Sequence, residues 1–190
     1  MVDDQILIDN FFGRCEPKLT EQITQHLMPH IKVIRPAKKQ IIIRENQTNS
    51  FAYFIIQGAA RSYYLQNGVE VNTWFAFENE VVGSLRNYND LPSRETVELL
   101  EDSVLIAFNM VGIKPLMLAH LEVSSFVNPV IGDYAAYLED RLYYTHLRSA
   151  HDRFTTIMSQ RPEIFNRVSL THIASFIGVS RETLSRLRAR

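Results

Sequence analysis

Apolar positions along the chain change period twice. Up to residue 30 they recur at helical spacing, with Leu19, Ile23 and Leu27 four residues apart. This stretch is expected to be helical, with Pro17 near a helix start and Pro29 near its end. From about Ile31 the pattern shortens to that of strands. Segments 31–34, 40–44, 51–56, 60–65, 69–75, 96–100 and 104–108 are short and rich in β-branched or aromatic residues, as strands are. Asn67-Gly68 between two of them is a strong hairpin signal, and Gly58 and Gly83 mark other corners. Seven strands at this spacing predict a small antiparallel barrel or sandwich.

After Asn109 the strand signals stop. Residues 110–120 are expected to form a short helical or irregular connection broken by Pro115. A longer helix follows from about Pro129 to Arg148. Val130, Tyr134, Tyr137, Leu138, Arg141 and Leu142 lie near one stripe of it, too apolar for a solvated helix. The stripe could pack on the barrel. A seam between two copies of the chain is the favoured reading, because a symmetric partner would bury what one small domain leaves uncovered. His151–Gln160 forms one more helix, stopped before Pro162.

The last stretch, Ser169 to Arg190, predicts two short helices joined by a tight turn. Ser169 can cap the first, and Leu170, Ile173, Ala174 and Ile177 share one face. Gly178 sits where a helix would end in a left-handed residue. Ser180 can cap a second helix whose inward positions are Leu184 and Leu187. The small Ala174 lets two steeply crossing helices approach. This is the helix-turn-helix pattern, whose second helix can enter a DNA major groove. The outward face of that helix carries Arg181, Glu182, Ser185, Arg186, Arg188 and Arg190. Arginine can fork two donors onto guanine O6/N7, and glutamate can accept from cytosine N4. Arginines at a helix C-terminus also simply favour the dipole. The cap, glycine and small residue in register favour DNA reading.

Composition narrows the class. With 190 residues, 46% of them apolar, the chain can build a real core. No apolar run reaches membrane-spanning length and the acidic start is no secretory signal, so a cytoplasmic protein with no membrane partner is expected. The single cysteine, Cys15, allows no internal disulfide and no cysteine-ligated cluster. The net charge of −1 conceals an asymmetry: residues 141–190 carry +6 and the first 140 carry −7. A basic tail on an acidic body points to a polyanion partner for the tail alone.

The order of barrel, long helix and helix-turn-helix resembles the Crp/Fnr family of bacterial transcription regulators. The most specific match is Val179-Ser-Arg-Glu-Thr-Leu-Ser-Arg186, close to the family's recognition-helix signature. The resemblance implies that Arg181, Glu182 and Arg186 read base edges, while Ser180, Arg188 and Arg190 serve as phosphate contacts. It implies an α+β fold. Residues 1–120 would form a jelly-roll-like sensor barrel of cyclic-nucleotide-binding type with flanking helices. Residues 121–148 would hold the dimerisation helix, and 149–190 an all-α helix-turn-helix domain. It further implies a homodimer on double-stranded DNA and contact with RNA polymerase.

A second match, Val82 to Val97, looks like the family's phosphate-binding cassette. Gly83 and Arg94 occupy the expected places of the starting glycine and the phosphate-neutralising arginine. Ser84, however, stands where a ribose-binding glutamate belongs, and Glu95, before Thr96, where a small hydroxyl residue or alanine belongs. Ser84 is too short to replace the carboxylate. Glu95 would put like charge roughly 4–5 Å from a phosphate, at a cost of several kcal/mol, unless it pairs with Arg94 or turns away. The adenine-contacting hydroxyl pair of the cyclic-AMP members is also not evident, Leu138-Glu139 lying nearest. These departures disfavour cyclic AMP and favour another small anion, or no ligand. A third departure is at the end: the family adds a β-hairpin wing, whereas this sequence stops at Arg190, which implies weaker phosphate anchorage.

Enzyme chemistry finds little support. A metal-holding barrel needs histidines on its strands, and His26, His30, His120, His146, His151 and His172 all lie outside residues 31–109. His26 and His30, four apart but with no third ligand, read as surface residues. Iron–sulfur sensing needs more cysteines, and haem sensing would call on His120 or His146. There is no P-loop or dinucleotide glycine motif. The expectation is a regulator that is not an enzyme and carries no metal or cofactor. The alternative is a ligand sensor that docks a protein and does not bind DNA.

Overall fold

The computed structural model describes residues 2–16, 18–147 and 149–189, with the side chains of all of these except 141 and 143–147. Two helices open the chain, α1 (Asp4–Arg14) and α2 (Glu21–Leu27), followed by a 3-10 turn at Met28–His30. The side chain of Asp3 caps α1 by accepting the Gln5 N–H at 2.9 Å. Strands β1 (Ile31–Ile34), β2 (Ile41–Ile43), β3 (Phe51–Gln57), β4 (Ala60–Gln66), β5 (Val69–Ala76) and β6 (Val81–Val82) come next. A short helix α3 (Leu85–Tyr88) precedes β7 (Thr96–Leu99) and β8 (Val104–Asn109).

The strands form two four-stranded sheets, ordered β1-β8-β3-β6 and β2-β7-β4-β5, with every pairing antiparallel. They face each other as a jelly-roll-like barrel, the fold class expected from the sequence. The β4–β5 hairpin turns through Asn67 (φ 53°) and Gly68 (φ 80°). Two successive positive φ values suit the right-handed twist of the flanking strands. Between the sheets lies a core that includes Ile43, Ile55, Trp74, Val97, Leu99 and Leu105. Alternation along each strand delivers these side chains to one face.

The strand β6 was not expected, because two residues carry too little periodicity to register. The helices depart further from expectation. Pro115 does not break the connection: α4 runs from Met110 to Ala119 through it. The long helix α5 spans Leu121–Leu147 and passes through Pro129, where a start was expected. A proline inside a helix forfeits one hydrogen bond and costs about 3 kcal/mol. Here the extra turns bury Val123 completely and pack Val127 on the first sheet's outer cluster, which offsets that cost.

Four helices complete the chain: α6 (Ala150–Gln160), α7 (Ile164–Arg167), α8 (Leu170–Ile177) and α9 (Arg181–Arg188). Ser149 and Asp152 cap α6 reciprocally. These helices cover the outer face of the second sheet through Phe75 and Phe77, which join Phe154, Ile164, Ile173 and Ile177 in one cluster. No described helix is long and apolar enough to cross a membrane.

Candidate functional site

The C-terminal helix pair is built as the sequence predicts. Ser169 Oγ accepts the His172 N–H and starts α8. At its end Gly178 takes the left-handed conformation at φ 76°. The Val179 N–H reaches back to the Ala174 carbonyl at 3.0 Å and the Gly178 N–H to Ser175 at 3.2 Å, the two bonds of a Schellman ending. Arg153 Nε adds a third donor, to the Ile177 carbonyl at 2.8 Å. Ser180 Oγ then caps α9 through the Thr183 N–H at 3.1 Å.

With Leu184 wholly buried, α9 turns Arg181, Glu182, Ser185, Arg186 and Arg188 to solvent. Glu182 is held below the ordinary carboxylate value by its own backbone N–H and the Ser180 hydroxyl, so it stays an acceptor. Arg188 also lies over the Phe165 ring at 5.9 Å, within cation–π reach. Ser180, expected to meet phosphate, spends its oxygen on the cap. Arg190 lies outside the described residues.

The cassette region is built differently from its expected role. Gly83 and Ser84 line a cleft of about 640 Å³ between the barrel, α3 and α5. Ser84 caps α3, accepting the Asn87 N–H at 3.3 Å. Arg94 is exposed and does not line the cleft. Glu95 turns inward, and its carboxylate accepts Ser62 Oγ at 2.8 Å and Trp74 Nε1 at 3.0 Å. Thr96 is buried, with its hydroxyl accepting the Glu45 N–H. Glu95 neither pairs with Arg94 nor leaves the barrel: the protein's own carboxylate is bonded between β4 and β5. The one cation among the described residues lining the cleft is Arg161, paired with Glu80 and Glu163 at 2.7 Å each. The small anion expected there meets no unpaired cation among those residues.

The α5 stripe divides. Val130, Tyr134 and Tyr137 are half-buried and line the cleft, and Tyr137 packs against the barrel core. For these three the barrel-packing alternative describes what one chain does. Leu138 and Leu142 are exposed at 36% and 61%, on a face the barrel leaves open. The side chain of Arg141 lies outside the described residues. Among the described residues no group of histidine, cysteine and carboxylate is placed to hold a metal, and His26 stacks on His120 with centroids 5.5 Å apart.

Sequence reasoning missed the outer face of the second sheet. Arg61 of β4, 5% exposed, donates to Glu98 and Glu70, and its Nη1 lies 3.2 Å from His172 Nδ1 of α8. Burial, then the Arg61 charge, push the His172 pKa below its usual value. Ser175 Oγ accepts the Asn72 N–H at 3.0 Å and donates to the Glu70 carbonyl. Below them Arg167 forks onto Glu78 at 2.6 and 2.9 Å and onto Glu101 at 2.8 and 2.9 Å. Arg167, with help from the Gly58 N–H and against burial, holds the Glu78 carboxyl down at about 2. The one charged residue on each of β4 and β5, Arg61 and Glu70, was the available signal, but it reads equally as part of a solvated face.

Residues 34–120 match the cyclic nucleotide-binding domain family. Solved structures of regulators extend the likeness in fold over most of the chain. FixK2 from Bradyrhizobium japonicum superposes with a TM-score of 0.71 at 20% identity, over 84% of this chain and 83% of that one. A putative transcriptional regulator of the Crp/Fnr family from Eubacterium rectale gives 0.71 at 18%, over 89% and 82%. The c-di-GMP-responsive global regulator CLP from Xanthomonas campestris gives 0.69 at 16%, over 90% of each chain. Among curated proteins, none matches the sequence. The resemblance to Crp/Fnr regulators holds: this chain has their fold, from barrel through long helix to C-terminal helices.

Proposed function

We propose that the protein is a DNA-binding transcription regulator of Crp/Fnr type, working as a homodimer under an effector other than cyclic AMP. The observation that carries the reading is α9. It is capped at Ser180, anchored by buried Leu184, and presents Arg181, Glu182, Ser185 and Arg186 together to solvent. Those side chains suit the edges of guanine and cytosine in a major groove. The exposed Leu138 and Leu142 of α5 favour a symmetric partner that would bury them, spacing two α9 helices for half-sites about one helical turn apart. The altered cassette supports an effector without a phosphate.

Fluorescence anisotropy on duplex DNA over a series of salt concentrations tests the reading. Log affinity is expected to fall linearly with log salt. On a selected site, Arg186→Ala is expected to relax preference at one base position and cost about 1–3 kcal/mol. Equal loss on every sequence would make Arg186 a phosphate contact. A folded protein without any affinity for DNA would leave the protein-docking sensor as the reading.

A further inference from the structure

We propose that the cleft between the barrel and α5 binds an uncharged aromatic molecule of about two rings that carries a hydrogen-bond donor. The inference deepens the regulator reading by giving its effector a chemical class, and it rests on that reading only for the consequence to DNA binding.

Three observations converge. First, the walls are aromatic: Phe51, Trp74, Tyr134 and Tyr137 line the cleft with Ala76 and Val130. A volume of about 640 Å³ is ample for a small effector. Flat side chains around such a space favour flat ligands through offset and edge contacts.

Second, the charge is wrong for a phosphate or carboxylate. Glu16, Glu80 and Asp133 line the cleft against Arg161, the one cation among the described lining residues, which is ion-paired with Glu80 and Glu163. The Glu95 carboxylate is bonded directly to the Trp74 ring nitrogen in the cleft wall. An anion entering would meet net negative charge, and Arg94, the residue that could have balanced it, stands outside.

Third, Asn87 in the same wall is 7% exposed and only half satisfied. Its Nδ2 donates to the Gln47 and Leu91 carbonyls at 3.2 and 2.9 Å, which fixes the orientation of the amide. Its Oδ1 is buried with no hydrogen-bond partner among the described residues. A buried acceptor left unpaired costs about 1–3 kcal/mol, and a ligand hydroxyl or ring N–H would recover it.

Isothermal titration calorimetry of the full chain against 4-phenylphenol, biphenyl, biphenyl-4-carboxylate and cyclic AMP tests each part. Trp74, the only tryptophan, reports location through its emission. The expected result is that 4-phenylphenol binds and changes Trp74 emission. The carboxylate, which carries charge and also lacks the donor, is expected to bind at least about a hundredfold more weakly, and biphenyl about tenfold more weakly through its missing donor alone. In Glu95→Gln the gap between phenol and carboxylate is expected to narrow toward the roughly tenfold that the missing donor alone costs. Val130→Phe, which adds bulk to the α5 wall, is expected to weaken binding while retaining the far-ultraviolet spectrum.

Tighter binding of the carboxylate or cyclic AMP would overturn the proposal, as would binding that leaves Trp74 unchanged. Equal affinity for biphenyl would remove the role of Asn87. No binding of 4-phenylphenol by folded protein would also overturn it. DNA affinity measured without any ligand reports separately on the regulator reading, so the two can fail independently.

Discussion

Adjacent residues of β4 and β5 face two different worlds. Ser62 and Trp74 point between the sheets, where they hold Glu95 beside the cleft. Arg61 and Phe75, one residue away on each strand, point outward to α8, through His172 and Phe176. The inner face is apolar around one bonded carboxylate. The outer face combines an aromatic cluster with ion pairs. The cleft thus lies on the inner side of the sheet whose outer side carries α8. A shift of β4 or β5 at one face must be felt at the other, because packed interiors transmit displacement.

Removing the outer aromatic anchor should have the largest effect. Phe75 is 3% exposed and meets Phe176 edge-on at 5.2 Å. Phe75→Ala is expected to lower stability by about 3–5 kcal/mol, seen as an earlier midpoint in urea. A cost under 1 kcal/mol would mean that α8 rests on the sheet without depending on it. Arg61→Ala comes next, at about 2–3 kcal/mol. Losing one member of a buried ion pair strands its partners, but the Glu70 side chain is 41% exposed and can rehydrate. If Arg61→Ala costs nothing, the outer face is held by its aromatic cluster alone.

How far the sequence foretold this contrast differs by region. The two short C-terminal helices and their turn were legible residue by residue, because Ser169, Gly178 and Ser180 act within a few residues of themselves and leave local signatures. The barrel strands were legible from period, except Val81–Val82. The cassette was legible as a departure: Ser84 and Glu95 stood out against the pattern, while the bonds from Ser62 and Trp74 to Glu95 join residues 33 and 21 apart. The docking face was not legible. Arg61 meets His172 across 111 residues and Arg167 meets Glu78 across 89, and no local spacing announces such pairs. Pro129 misled because a proline read alone marks a helix start, whereas burial of Val123 extends α5 past it.

Acid should loosen the outer face before the inner one. The Glu78 carboxyl falls from an ordinary 4.5 to about 2 in the fold. Its contribution is therefore complete above pH 4.5 and lost as pH falls from there toward 2. Its side chain is 33% exposed, so the effect is partly screened and smaller than the two substitutions above. His172 works in the same direction at higher pH: its lowered pKa favours the fold above 6.5, and that advantage fades as pH drops below 6.5. Urea midpoints between pH 7 and 3 should fall in the native protein and fall less below pH 4.5 in Glu78→Gln. Parallel curves would show that Glu78 and Arg167 do not couple the helices to the sheet.

The smallest effect belongs to the inner face. Glu95→Gln keeps the size of the side chain and one oxygen able to accept both Ser62 Oγ and Trp74 Nε1. It gives up only the difference between a charged and a neutral acceptor, about 1 kcal/mol. The barrel should fold, and Trp74 emission without ligand should stay close to that of the native protein. A loss as large as that of Phe75→Ala would mean that the carboxylate is a structural keystone of β4 and β5. A loss near the expected value leaves the inner face soft enough to change with what occupies the cleft, while the outer face stays firm enough to carry that change to α8.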